Sequence, residues 1–186
     1  MGKRRNDRNF GIALSGIACA VASGALALGI LSGYLVATGY LIGVLALMVP
    51  LSKQYFKGGF LAYLGTVILA VVLGASIRFW DLVPFAMFFG LHPLANALQI
   101  RFKVNKWLAF AIKAVWFDCT LIAGYFLIFE GNLMGSLLPQ SVYDFLNSGY
   151  IYLFIFTLGT ALFFVYDYLI FKCQIFINRL VYRIKK

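Results

Sequence analysis

FGIALSGIACAVASGALALGILSG, residues 10–33, contains no charged side chain. A helix rises about 1.5 Å per residue, so about 20 apolar residues cross the roughly 30 Å hydrocarbon core of a bilayer. The basic MGKRRNDRNF before it has the layout of a secretory signal, but the apolar run exceeds the roughly 7 to 15 residues of a signal core. The stretch therefore reads as a retained first membrane span.

The rest of the chain has the same character. It is 63% hydrophobic and 12% charged over 186 residues, against roughly 45 to 50% apolar and 25% charged in soluble domains. Further apolar runs give six expected spans at 10–32, 34–51, 59–77, 82–100, 107–129 and 149–171. The fold class is an all-α integral membrane protein, a single six-helix transmembrane domain over residues 1–186.

The net charge of +10 is confined to short clusters, which argues for loops and anionic headgroups and against nucleic acid. Lys3, Arg4, Arg5 and Arg8 precede the first span. Lys53 and Lys57 follow the second, and Arg101, Lys103 and Lys106 follow the fourth. Lys172, Arg179, Arg183, Lys185 and Lys186 follow the sixth, whereas Arg78, Asp81, Glu130 and Asp144 fall on the other side. The excess of Lys and Arg on one side puts both termini in the cytoplasm of a bacterial plasma (inner) membrane protein.

Two connecting segments have amphipathic patterns. Residues 131–148, interrupted by Gly, Pro and polar residues, are expected to lie along the outer interface, either as a lid over an outward cavity or as a plain connection. The basic tail 172–186 places Lys172, Arg179, Arg183 and Lys186 on one helix face and is expected to rest on the inner leaflet, with docking to a partner as the alternative. Cys19, Cys119 and Cys173 have no metal-ligand or CxxC spacing and read as small packing residues.

The fourth and fifth spans carry the polar residues. His92, the chain's one histidine, shares a helix stripe with Asn96 and Gln99, and the fifth span supplies Lys113 and Asp118. A short basic loop makes these helices antiparallel neighbours. His92 is then level with Asp118 about 15 Å deep, and Asn96 with Lys113 about 8 Å deep. Ionisable groups at such depth cost about 2.5 kcal/mol or more each, so they should face protein or a wet cavity. Pro93 is expected to kink the fourth helix beside the histidine. Lys113 and Asp118 lie about 140° apart around their helix, so one is expected to face a different neighbour, or Lys113 to snorkel inward. The cluster reads either as a solute or proton-linked site or as polar glue between helices. Asp167, between two tyrosines near the end of the sixth span, reads as interfacial.

No phosphate loop, nucleophile elbow, HExxH or metal-ligand set is present, so neither an enzyme nor a cofactor is expected. Small residues four apart, Ala18 and Ala22, Gly29 and Gly33, Gly39 and Gly43, favour close helix packing, within the chain or against a partner.

With six spans, this length, internal termini and Ala18-xxx-Ala22 on the first helix, the chain resembles the substrate-binding S components of energy-coupling factor (ECF) vitamin transporters. It is also similar to uncharacterised small six-span Gram-positive membrane proteins. Phe89, Gly90, Leu91, His92, Pro93 and Leu94, then Lys113, Phe117 and Asp118, carry that likeness, with His92 and Asp118 departing from an aromatic residue and an asparagine. The ECF resemblance implies a small-molecule ligand captured near the outer half of the last three helices. It also implies docking through Ala18 and Ala22 to a transmembrane coupling subunit with ATPases. The alternatives are a scaffold subunit of a cell-envelope assembly and a lipid-modifying enzyme.

Overall fold

A computed structural model describes residues 2–129 and 149–183. The expected interfacial segment 131–148, with Glu130 before it, and the last three residues of the basic tail lie outside the described residues. Every regular element among the described residues is helical: α1 (Gly2–Ser32), α2 (Val36–Ser52), α3 (Phe56–Val72), a 3₁₀ helix (Ala75–Asp81), a π-helix (Phe85–Phe89), α4 (His92–Phe102), α5 (Lys106–Phe129) and α6 (Tyr150–Arg183). Three stretches are long and apolar enough to cross a membrane, Asn9–Ser32, Lys106–Phe126 and Phe156–Val181. A bent pair, α3 with the 3₁₀ helix, makes up to four.

The chain divides into two compact units, one of residues 1–103 with 170–186 and one of residues 104–169. In the first, α1 and α2 form a hairpin whose crossing is set by glycine. A methyl added at Gly39 would lie 2.7 Å from the Ala25 carbonyl oxygen and 3.2 Å from Gly29 Cα. No larger residue fits that approach without separating the helices. Helix α3 runs parallel to α1, with Gly11 against Tyr55, Gly58 against Ser15 and Gly65 against Cys19. Ala18 and Ala22 are both buried. The small face singled out for partner docking is thus covered by the chain itself, and an external helix reaches it only if that packing opens. Leu26, Ile30, Val44, Leu47, Met48, Leu82, Phe85 and Phe88 form the apolar centre.

Two expected spans are not continuous helices. The third ends at Val72, where Gly74 takes a positive φ of 111° and the backbone turns by 119° into the 3₁₀ helix. Arg78 pairs with Asp81 at 2.8 Å in that segment, and Tyr40 Oη donates to the Asp81 carbonyl, fixing it to α2. The fourth expected span contains the π-helix, followed by α4 with Pro93 in its first turn. In a regular α-helix the Pro93 ring would meet the Phe89 carbonyl and offer it no donor. The irregular turn just before Pro93 avoids that register. Gly90 N donates to Phe85 O at 2.8 Å, five residues back, and Leu91 N to Phe88 O at 3.1 Å. The Ala86 carbonyl, displaced from Gly90, accepts from Tyr63 Oη of α3 at 2.5 Å. The proline thus acts at the start of α4, not as a kink within a continuous helix.

The expected sixth span and the basic tail are one helix as far as Arg183. At 34 residues α6 rises about 51 Å, well beyond a hydrocarbon core. Phe163, Asp167, Ile170, Gln174 and Val181 are buried at alternating intervals of four and three, with one position passed over before Val181. That spacing keeps one side of a helix turned inward. Lys172 and Arg179 are exposed. Lys53 Nζ donates to the Val181 carbonyl at 2.9 Å, so the distal part of α6 is held by the loop after α2. Cys119 is exposed and does not pack in the interior, unlike the half-buried Cys19 and Cys173.

Candidate functional site

In the first unit, the stripe His92, Asn96 and Gln99 begins at the first residue of α4. His92 and Asn96 are fully buried, with Asn96 Nδ2 3.5 Å from His92 Nδ1 and the His92 ring 5.1 Å from that of Phe88. Gln99 is half-buried, and its Oε1 has no hydrogen-bond partner among the described residues. The π-turn and Pro93 set the start of α4 and thereby fix which way this stripe faces.

The second unit holds Lys113 and Asp118, and its architecture rests on α5 packing antiparallel to the first part of α6. Phe117 stacks on Phe163 at 5.3 Å between centroids, and Phe110 approaches Phe163 at 5.4 Å and Phe164 at 5.6 Å. Lys113 Nζ forms a buried ion pair with Asp167 Oδ1. Asp118 Oδ2 accepts a hydrogen bond from Thr160 Oγ1 at 3.2 Å.

This corrects two expectations from the sequence. Lys113 does not snorkel, being 5% exposed, and Asp167 is a buried partner, not an interfacial bystander. Nor do Lys113 and Asp118 need two different neighbours. Ala114 and Phe117 occupy the middle of the α5 face, and the two polar side chains approach α6 from either flank. The long lysine chain makes this reach feasible.

Asp118 is only half engaged. It is 6% exposed, yet Oδ1 is buried with no hydrogen-bond partner among the described residues. Gly159 packs beside that oxygen, where an added methyl would sit 3.3 Å from Oδ1 and 2.8 Å from Leu121 Cδ1. Beside it an open groove of about 550 Å³ is lined by Phe110, Phe156, Thr157, Thr160, Ala161 and Phe164. Thr160 therefore belongs to both the groove and the carboxylate.

Sequence reasoning missed Asp167, Thr160 and the groove. A signal for Asp167 was present, since a lysine inside a span requires a carboxylate and Asp118 leaves α5 at a different angle. Thr160 had no such signal, because a single threonine in an apolar helix ordinarily bonds its own backbone. Among the described residues no group of His, Cys, Asp and Glu could hold a metal ion. Compared with known proteins, the chain matches no protein family, no curated protein and no solved structure.

Proposed function

We propose that the chain is a membrane-embedded subunit that binds a small solute, in the manner of an ECF S component, and relies on partner subunits with ATPases for uptake. In this reading α1, α2, the bent α3 segment, the irregular stretch up to Phe102, α5 and α6 make six passes, with both termini in the cytoplasm of a bacterial plasma membrane. The protein itself hydrolyses nothing.

The observation that carries the reading is Asp118. A carboxylate with one unanswered oxygen, inside a helix apolar enough to span, is costly to keep for packing alone. A bound ligand or proton would supply the missing partner. The scaffold reading draws on Lys113 and Asp167, which engage each other and hold α5 to α6 without a ligand.

Native mass spectrometry of the gently solubilised protein tests the choice. A retained small molecule lost in Asp118→Asn, or copurifying ATPase subunits, supports solute binding. Protein carrying only phospholipid in the proportions of the surrounding membrane, with no headgroup selected, or bound to envelope-assembly proteins, overturns it in favour of the scaffold.

A further inference from the structure

The groove between α5 and α6 has an unusual donor and acceptor balance. Its walls are the rings of Phe110, Phe156 and Phe164 with the Ala161 methyl, and its polar atoms are two threonine hydroxyls. Both hydroxyl protons are committed elsewhere. Thr157 Oγ1 donates to the Leu153 carbonyl at 2.7 Å, and Thr160 Oγ1 donates to Asp118 Oδ2 at 3.2 Å. Among the described residues the groove thus offers oxygen acceptors and aromatic rings, with no side-chain donor.

Charge points the same way. The lysine of this seam is matched by Asp167, whereas among the described residues Asp118 has only a neutral hydroxyl for a partner. The hydroxyl polarised by that carboxylate is a stronger acceptor than an isolated one. An anionic head entering the groove finds no side-chain donor among the described residues and a carboxylate behind it. A cationic head finds an acceptor, a compensating charge and aromatic rings, whose quadrupoles attract a cation that meets them face-on. The volume lies in the range of small-ligand sites.

We infer that this groove binds an ammonium group carried on an apolar body, with Thr160 as direct acceptor, Asp118 as the charge behind it and Phe110, Phe156 and Phe164 as walls. This rests on the solute-binding reading and names the ligand class for it. Two sources share the chemistry, a free apolar amine and an aminophospholipid headgroup.

The test is calorimetric titration of the full chain in phosphatidylglycerol nanodiscs with three probes of one body, 2-phenylethylammonium, 2-phenylethanol and 3-phenylpropionate. The ammonium is expected to bind about tenfold more tightly than the alcohol, with the carboxylate weakest. Asp118→Asn and Thr160→Val should each shrink the gap to roughly threefold or less, while Thr160→Ser keeps it. Loss of amine binding in phosphatidylethanolamine nanodiscs identifies the lipid headgroup as occupant, and retention identifies a free amine. Equal binding of ammonium and alcohol, preference for the carboxylate, a gap unchanged in both variants, or no saturable binding of any probe overturns the amine site. Mass spectrometry of the same preparation reads retained molecules of any class, so the solute-binding reading stands or falls separately.

Discussion

Removing either member of the Lys113 and Asp167 pair should destabilise the protein far more than removing both. Their side chains are 6% and 13% exposed, so the carboxylate left by Lys113→Met, or the ammonium left by Asp167→Leu, would sit nearly dry beside α5 and α6. Breaking one side of such a buried pair costs about 3–5 kcal/mol, whereas replacing both partners by apolar residues is often neutral or stabilising. For a chain of this length about 2–4 °C of midpoint accompanies each kcal/mol, so each single variant should lose roughly 6–20 °C. The double variant should return to within a few degrees of the parent. The assay is thermal unfolding of purified protein in one detergent, followed by circular dichroism and by loss of the monodisperse peak. Singles that melt with the parent, or a double whose loss equals the sum of the singles, would refute the buried pair.

Three further outcomes follow from the packing. Tyr63→Phe removes the donor to the Ala86 carbonyl and should cost about 1–3 kcal/mol, read as a lower melting midpoint. Gly39→Ala should lower the midpoint by an overpacking cost of about 1–3 kcal/mol, while Gly24→Ala, with nothing within 4 Å of the added methyl, should not. Equal effects of the two glycine variants would contradict the α1 and α2 crossing. A reporter fused after Lys186 should be cytoplasmic, and an external reporter would overturn the proposed orientation.

Helices whose apolar runs end at charge or at a helix breaker were legible from sequence. The expected spans at 34–51 and 107–129 lie close to α2 and α5. The third was not, because Ala75 and Ile77 carry the uncharged run past Gly74 and only the positive φ at that glycine reveals the bend. The extent of α6 was hidden for a related reason. Its charged residues after Phe171 look like the end of a span, but Ile170, Gln174 and Val181 keep the inward spacing. The stripe of His92, Asn96 and Gln99 was visible as periodicity, whereas the π-turn before α4 frees an Ala86 carbonyl that is answered by Tyr63 from another helix, which no local pattern encodes. Lys113 and Asp118 were visible as polar intruders. Their partners were not, since pairing across helices depends on a register that residue counting fixes only for neighbours joined by a short loop.

The two carboxylates of the α5 and α6 seam separate cohesion from binding. Asp167 answers a buried ammonium, so its loss should be read in stability. Asp118 answers a hydroxyl, and asparagine presents the same carbonyl oxygen to Thr160, so Asp118→Asn should melt within a few degrees of the parent while removing the negative charge. A protein whose ligand needs the charge of Asp118 would then lose ligand and keep its fold. If Asp118→Asn instead unfolds as readily as Asp167→Leu, the carboxylate serves cohesion, and the solute-binding reading loses the observation on which it rests. The comparison needs no knowledge of the ligand, because each variant is read against the other in one melting experiment.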